Sequence, residues 1–99
     1  MLEDWTYPSF ANNKNTTFTV QHPQWGNVPM QLISVSELRE TPRQRAFSIV
    51  FLGPLDRPLE QGLHTMSHET MGTETLFIVP IGRDADGFQY EAVFNNLVK

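Results

Sequence analysis

Two stretches of this chain, Ala46-Phe47-Ser48-Ile49-Val50-Phe51-Leu52 and Thr75-Leu76-Phe77-Ile78-Val79-Pro80-Ile81, are apolar at nearly every position. A strand with one face in the core and one in water alternates apolar and polar residues. These two do not alternate, so they predict strands covered on both faces. In a chain of 99 residues, the cover is the N-terminal segment, closure into a barrel, or another protein. Other segments carry the ordinary strand signature. Phe88 to Asn95 sets Phe88, Tyr90, Ala92 and Phe94 on one face, against Gln89, Glu91 and Asn95, with Val93 the exception. Thr16 to Gln21 alternates around Phe18 and Val20 and is rich in strand formers. Val28 to Ser36 and Leu63 to His68 read as two more strands. Pro29 has no N–H, which places its end of the strand at an edge or a strand start.

The separating segments are turn chemistry. His22-Pro23-Gln24-Trp25-Gly26-Asn27, Gly53 to Pro58, Glu69 to Gly72, and Gly82-Arg83-Asp84-Ala85-Asp86-Gly87 each combine Gly, Pro, Asn or Asp. Glu37 to Arg45 is charged, holds Pro42 and reads as a solvated connection. Pro8 opens a short helical turn over Ser9 to Asn13, since Pro is tolerated in a first turn. The expected architecture is one all-β domain over residues 1–99. It is a small antiparallel barrel or sandwich of about six strands in a meander, with a short N-terminal helical turn. Residues 1–15, rich in aromatics, pack on it. A barrel has the advantage of removing exposed edges.

Composition narrows the partners. Seven Lys plus Arg stand against eleven Asp plus Glu, a formal charge of −4. The basic residues are scattered, with only Arg43 and Arg45 close together, so no basic face predicts nucleic acid or an anionic membrane as partner. There is no cysteine, which excludes disulfides and thiolate metal sites. No run approaches the roughly 18 apolar residues of a membrane-spanning helix. The start, Met1-Leu2-Glu3-Asp4-Trp5, is acidic and unlike a secretory signal. The expectation is a chain made in the cytoplasm, which works outside only as part of an exported assembly or by a non-classical route.

The second half carries a longer pattern: Phe47-Ser48-Ile49-Val50-Phe51-Leu52-Gly53-Pro54, Leu59-Glu60-Gln61-Gly62, His68, Gly72, Leu76-Phe77-Ile78-Val79-Pro80-Ile81-Gly82, Asp86-Gly87 and Tyr90-Glu91-Ala92-Val93-Phe94-Asn95. It resembles a family of small bacterial proteins classed as a domain of unknown function. The N-terminal part matches more loosely, through Phe10 and Thr17-Phe18-Thr19-Val20. These elements are strand cores and turns, so the resemblance implies a fold rather than a chemistry. It also implies an association with neighbours that resemble phage tail-collar or tail-fibre proteins, and so an accessory or assembly role. It implies no enzymatic activity and no catalytic residues.

Candidate chemistry is sparse. His64 and His68 lie on one strand face, with α-carbons about 13 Å apart by strand rise, too far to share one metal. Glu69 after His68 does not complete the zincin pattern, which places the second His four residues after the first with Glu between. The bland reading of His68 is a hydrogen bond to a turn backbone. Asp84 and Asp86 before Gly87 resemble a calcium loop, but an EF-hand starting at Asp84 needs Gly at position 89 and Glu at 95, where Gln89 and Asn95 stand. Glu91 has no second acid fixed near it and reads as a cross-strand partner for an Arg. Ser48 and Ser67 lack a nucleophile elbow. No metal, cofactor or catalytic residue is predicted, and the chain reads as a non-enzyme.

The aromatics Trp5, Tyr7, Phe10 and Trp25 are the candidates for a protein interface, because aromatic side chains anchor contacts. Their bland reading is a plug for an open end or second face of the sheet. The expected function is a structural or adaptor domain that binds a protein partner or itself, as an accessory component of a phage-tail-like or surface assembly. The alternative is a small-ligand-binding barrel with His64, His68 and Tyr90 as its polar contacts. A barrel this small is usually filled by its own side chains, which ranks that alternative second.

Overall fold

The computed structural model describes residues 5–97. A short helix α1 (Tyr7–Asn12) precedes seven strands: β1 (Thr17–His22), β2 (Gly26–Val35), β3 (Arg39–Thr41), β4 (Gln44–Gly53), β5 (Gly62–His68), β6 (Gly72–Asp84) and β7 (Gly87–Leu97). All the pairings are antiparallel, in the order β2-β1-β5-β6-β7-β4-β3, and β2 also pairs with β4. That last pairing closes six strands into a barrel and leaves β3 outside it. The Cα radius of gyration is 13.4 Å, as expected for about 100 compact residues.

The ring follows chain order through the hairpins β1–β2, β5–β6 and β6–β7. It departs from a plain meander at β4, which lies beside β7 rather than β5. The segment from Pro54 to Gln61 therefore carries the chain across one end of the barrel. Buried Leu59 lies in that segment, and its N–H donates to the Tyr90 hydroxyl at 2.9 Å. The other end is closed by α1, whose Phe10 is fully buried against Phe18, Phe47 and Phe94. Pro8 stands in the first turn of the helix, where its missing N–H costs nothing.

Inward positions alternate as strand geometry requires. Phe18, Val20, Val28, Met30, Leu32, Ile49, Phe51, Met66 and Ile78 are at most 1 % exposed, so the interior is solid with the chain's own side chains. Gly87 marks a close approach. Its φ is +155°, and a Cβ there would collide with the Gly53 carbonyl oxygen across the β4–β7 ladder.

Three further expectations change. The charged connection from Glu37 to Arg45 contains β3, paired to the start of β4. The last turn is tighter than the Gly82–Gly87 span suggested, because β6 runs to Asp84 and only Ala85 and Asp86 turn. Finally, β6 is not covered on both faces: Phe77 is 50 % and Ile81 49 % exposed. The N-terminal segment fills the end of the barrel instead of forming a second layer over its wall, so the outer side of β6 has no cover from the described residues. On β4 the outward Val50 and Leu52 are half-buried.

Candidate functional site

The predicted aromatic set divides. Trp5 is 3 % exposed and makes edge contacts with Phe10 and Phe18 at 5.7 and 5.6 Å. Its indole N–H donates to the Met71 carbonyl at 2.7 Å. Trp5 and Phe10 thus belong to this chain's own core. Tyr7 is half-buried, edge-on to Phe47 at 5.3 Å. Trp25 is also half-buried, at the opposite end, where its indole N–H donates to the Pro58 carbonyl at 3.0 Å. The four do not form one surface.

The three polar candidates each hold backbone in place. Tyr90 is 1 % exposed and fixes Leu59, and burial pushes its phenol pKa up. His64 Nε2 lies 2.7 Å from the Glu60 carbonyl oxygen, so it carries the hydrogen and donates. His68 Nδ1 accepts the N–H groups of Thr70 and Met71 at 3.1 and 3.2 Å. Its Nε2–H then donates to Thr16 Oγ1 at 2.9 Å, and the Thr16 hydroxyl donates on to the Asn13 carbonyl at 2.6 Å. Burial pushes the His68 pKa down, with the Glu69 charge opposing. His64 and Tyr90 therefore tie down the Pro54–Gln61 crossing, while His68 ties the α1–β1 connection to the β5–β6 turn.

His22 was missed. It is 8 % exposed at the end of β1, and its Nδ1 accepts the N–H groups of Gln24 and Trp25 at 3.1 and 3.2 Å. His68 does the same to residues two and three positions on. Each hairpin closes four residues after its His on a glycine with positive φ, Gly26 at +74° and Gly72 at +86°. The signal was present as a repeated His-x-x-x-Gly at 22–26 and 68–72. In both turns an imidazole lone pair satisfies two backbone donors, as Asp84 Oδ1 does for Asp86 and Gly87.

His22, His64 and Glu60 also meet. Glu60 Oε1 lies 3.2 Å from His22 Nε2 and 3.9 Å from His64 Nε2. The Glu60 pKa is lowered by a backbone hydrogen bond first and by His22 second. The tautomers argue against a metal here. The turn amides hold the His22 lone pair at Nδ1, leaving the hydrogen on Nε2, and the carbonyl of Glu60 requires a hydrogen on His64 Nε2. Both nitrogens facing the carboxylate are donors, whereas a metal needs a lone pair. Among the described residues no group of three His, Asp or Glu side chains forms a metal site.

Two surface features remain. On the outer wall, Leu63 stands opposite Phe77 across the β5–β6 ladder. The β6–β7 ladder stops at Val79 and Glu91, and the strands diverge. Phe77 and Val93 share the outer face on either side of that fork. Leu63, Phe77 and Val93 are 72, 50 and 66 % exposed. Val93 also borders an open groove of about 480 Å³, floored by Ala46, Ser48 and Glu91. The second feature lies on the inner side of the arm made by β3, the start of β4 and the end of β7. There Tyr7, Pro8, Leu38, Phe47 and Phe94 line a pocket of about 230 Å³, with Arg45 also on its wall.

The family model for a domain of unknown function, DUF6916, matches residues 5–94. The chain belongs to the DUF6916 family. The match spans α1, β1 to β6 and β7 as far as Phe94, so the N-terminal plug is part of the family domain. No curated protein and no solved structure matches the chain. For this DUF6916 domain the side-chain geometry is therefore the basis for a reading of function.

Proposed function

We propose that this DUF6916 domain is a non-enzymatic structural or adaptor module that binds protein through the outer face of β5, β6 and β7. The observation that carries the reading is the row of Leu63 and Phe77, large apolar cross-strand partners on the outer wall, with Val93 exposed on the outer face of β7 across the fork. Such a side chain gains about 1.5–3 kcal/mol on full burial, so covering what is exposed of these three is worth roughly 3–6 kcal/mol. Association itself costs about 4–15 kcal/mol, so the row alone gives weak binding. The adjoining groove at Val93 supplies the additional contact that a specific complex requires. The partner is a second copy of the chain or another protein. The resemblance to neighbours of tail-collar-like proteins favours a phage-tail-like or surface assembly as the setting.

The test is Leu63→Lys combined with Val93→Lys, both at exposed positions that leave the core intact. Light scattering across rising concentration, together with capture of host proteins on the immobilised chain, reads out association. The expected result is association by the natural chain that the double variant loses with an unchanged melting temperature. A natural chain that stays monomeric and captures nothing ends the proposal, as does equal association by the variant.

A further inference from the structure

The pocket between α1 and the β3–β4–β7 arm is separate from the outer wall. Its walls are packed aromatic rings: Phe47 and Phe94 stack at 4.8 Å with 12° between their planes, and Tyr7 meets Phe47 edge-on. Both Phe rings are held from beneath by Phe10. Such a wall is formed before any ligand arrives, which avoids an ordering cost on binding. The volume of about 230 Å³ falls below the roughly 300–1,000 Å³ of sites that enclose a whole small molecule. It matches a site for one side chain of a larger partner, as in the buried anchors of protein interfaces.

Charge selects what stands beside that anchor. Arg45 lines the pocket and is 56 % exposed at its side chain. Its Nε donates to Glu40 Oε2 at 3.1 Å, which occupies one edge of the guanidinium. The two terminal nitrogens provide the paired geometry that a carboxylate accepts. Arg43 stands at the hairpin tip next to it, so this end of an otherwise acidic chain carries local positive charge.

We propose that this pocket is an anchor site for one aromatic side chain of an acidic peptide segment in a partner protein, with Arg45 receiving the carboxylate next to the anchor. Glu40 is the resident competitor. It holds Arg45 in place when the site is empty and opposes an incoming acid. The site goes beyond the outer-wall contact proposed above and stands on different residues.

The test uses the full chain and a blocked peptide of sequence Asp-Phe-Asp-Asp, followed by amide chemical shifts. The expected result is saturable shifts at Tyr7, Leu38 and Arg45. Replacing Phe by Ala in the peptide, or its Asp residues by Lys, weakens binding at least tenfold. Arg45→Ala weakens it about tenfold, whereas Glu40→Gln tightens it. Leu63→Lys with Val93→Lys leaves it unchanged, which separates failure here from failure of the outer-wall reading. No saturable shift, equal binding of the Lys peptide, or indifference to Arg45→Ala with an intact fold overturns the proposal. A concentration-dependent mass that disappears in Arg45→Ala also overturns it, since a second copy then occupies the pocket.

Discussion

Trp5 and Met71 are joined by a 2.7 Å hydrogen bond, indole N–H to carbonyl oxygen, buried in the core across 66 positions of sequence. The bond fixes the entry to α1 against the turn between β5 and β6, so one contact ties the plug to the barrel wall.

Replacing Trp5 separates the two parts of that tie. Trp5→Phe keeps an aromatic ring beside Phe10 and Phe18 but leaves the Met71 carbonyl without its donor, and is expected to cost about 1–3 kcal/mol. Trp5→Ala also opens a cavity and is expected to cost about 3–5 kcal/mol. Urea unfolding of both variants gives the order; a Trp5→Phe loss near zero would mean that the hydrogen bond contributes nothing, and equal losses would mean that the ring contributes nothing beyond it.

Tyr90→Phe removes the acceptor of the Leu59 N–H at the other end of the barrel. The ring still fills its place, so the expected loss is again about 1–3 kcal/mol, from a buried amide with no partner. Amide exchange at Leu59 should accelerate more than exchange at Phe10, which lies at the far end. Uniform acceleration would show global destabilisation instead of release of the Pro54–Gln61 crossing.

The glycines at two turns should respond differently to the same change. Gly26 has φ +74° with open space around its α-carbon, so Gly26→Ala meets only the left-handed backbone penalty, about 1–2 kcal/mol. Gly87 has φ +155° and faces the Gly53 carbonyl, so Gly87→Ala must also displace a neighbouring strand. Gly87→Ala is expected to lower the melting temperature more than Gly26→Ala, and the reverse order would show that the β4–β7 approach is looser than it is here.

His68 makes stability depend on pH. Its pKa is lowered from the ordinary 6.5, chiefly by burial, so the unfolded chain takes up a proton at a higher pH than the folded one. Stability from this residue is complete above about pH 6.5 and falls as pH drops from there toward the folded-state pKa. Denaturant midpoints from pH 7.5 to pH 5 should decline for the natural chain and less steeply for His68→Asn. An unchanged slope would assign the decline to other groups.

Much of the architecture was legible because strand signals are local. The alternation around Phe18 and Val20, and along Phe88 to Phe94, marks inward faces directly. Helix α1 was announced by Pro8. β3 was not legible, because three exposed residues, Arg39, Glu40 and Thr41, have no apolar pattern and are strand only through pairing with β4. His22 was hidden because its role lies in a lone pair directed at two amides, which no residue class reveals. The repeated His-x-x-x-Gly was nonetheless visible, and a Gly four residues after a strand-ending His marks the same turn twice.

The segments Ala46–Leu52 and Thr75–Ile81 illustrate the division between chain and fold. Composition alone dictated that both be extended and that each send one set of side chains into a core, since alternate positions on a strand point opposite ways whatever surrounds them. Which second face found cover was decided only in three dimensions. α1 enters the end of the barrel, and β6 parts from β7 at Val79, leaving Phe77 and Val93 on the outer wall. The physical reason is range: the direction of a side chain is set by its own backbone, whereas its exposure is set by whichever distant segment comes to lie over it.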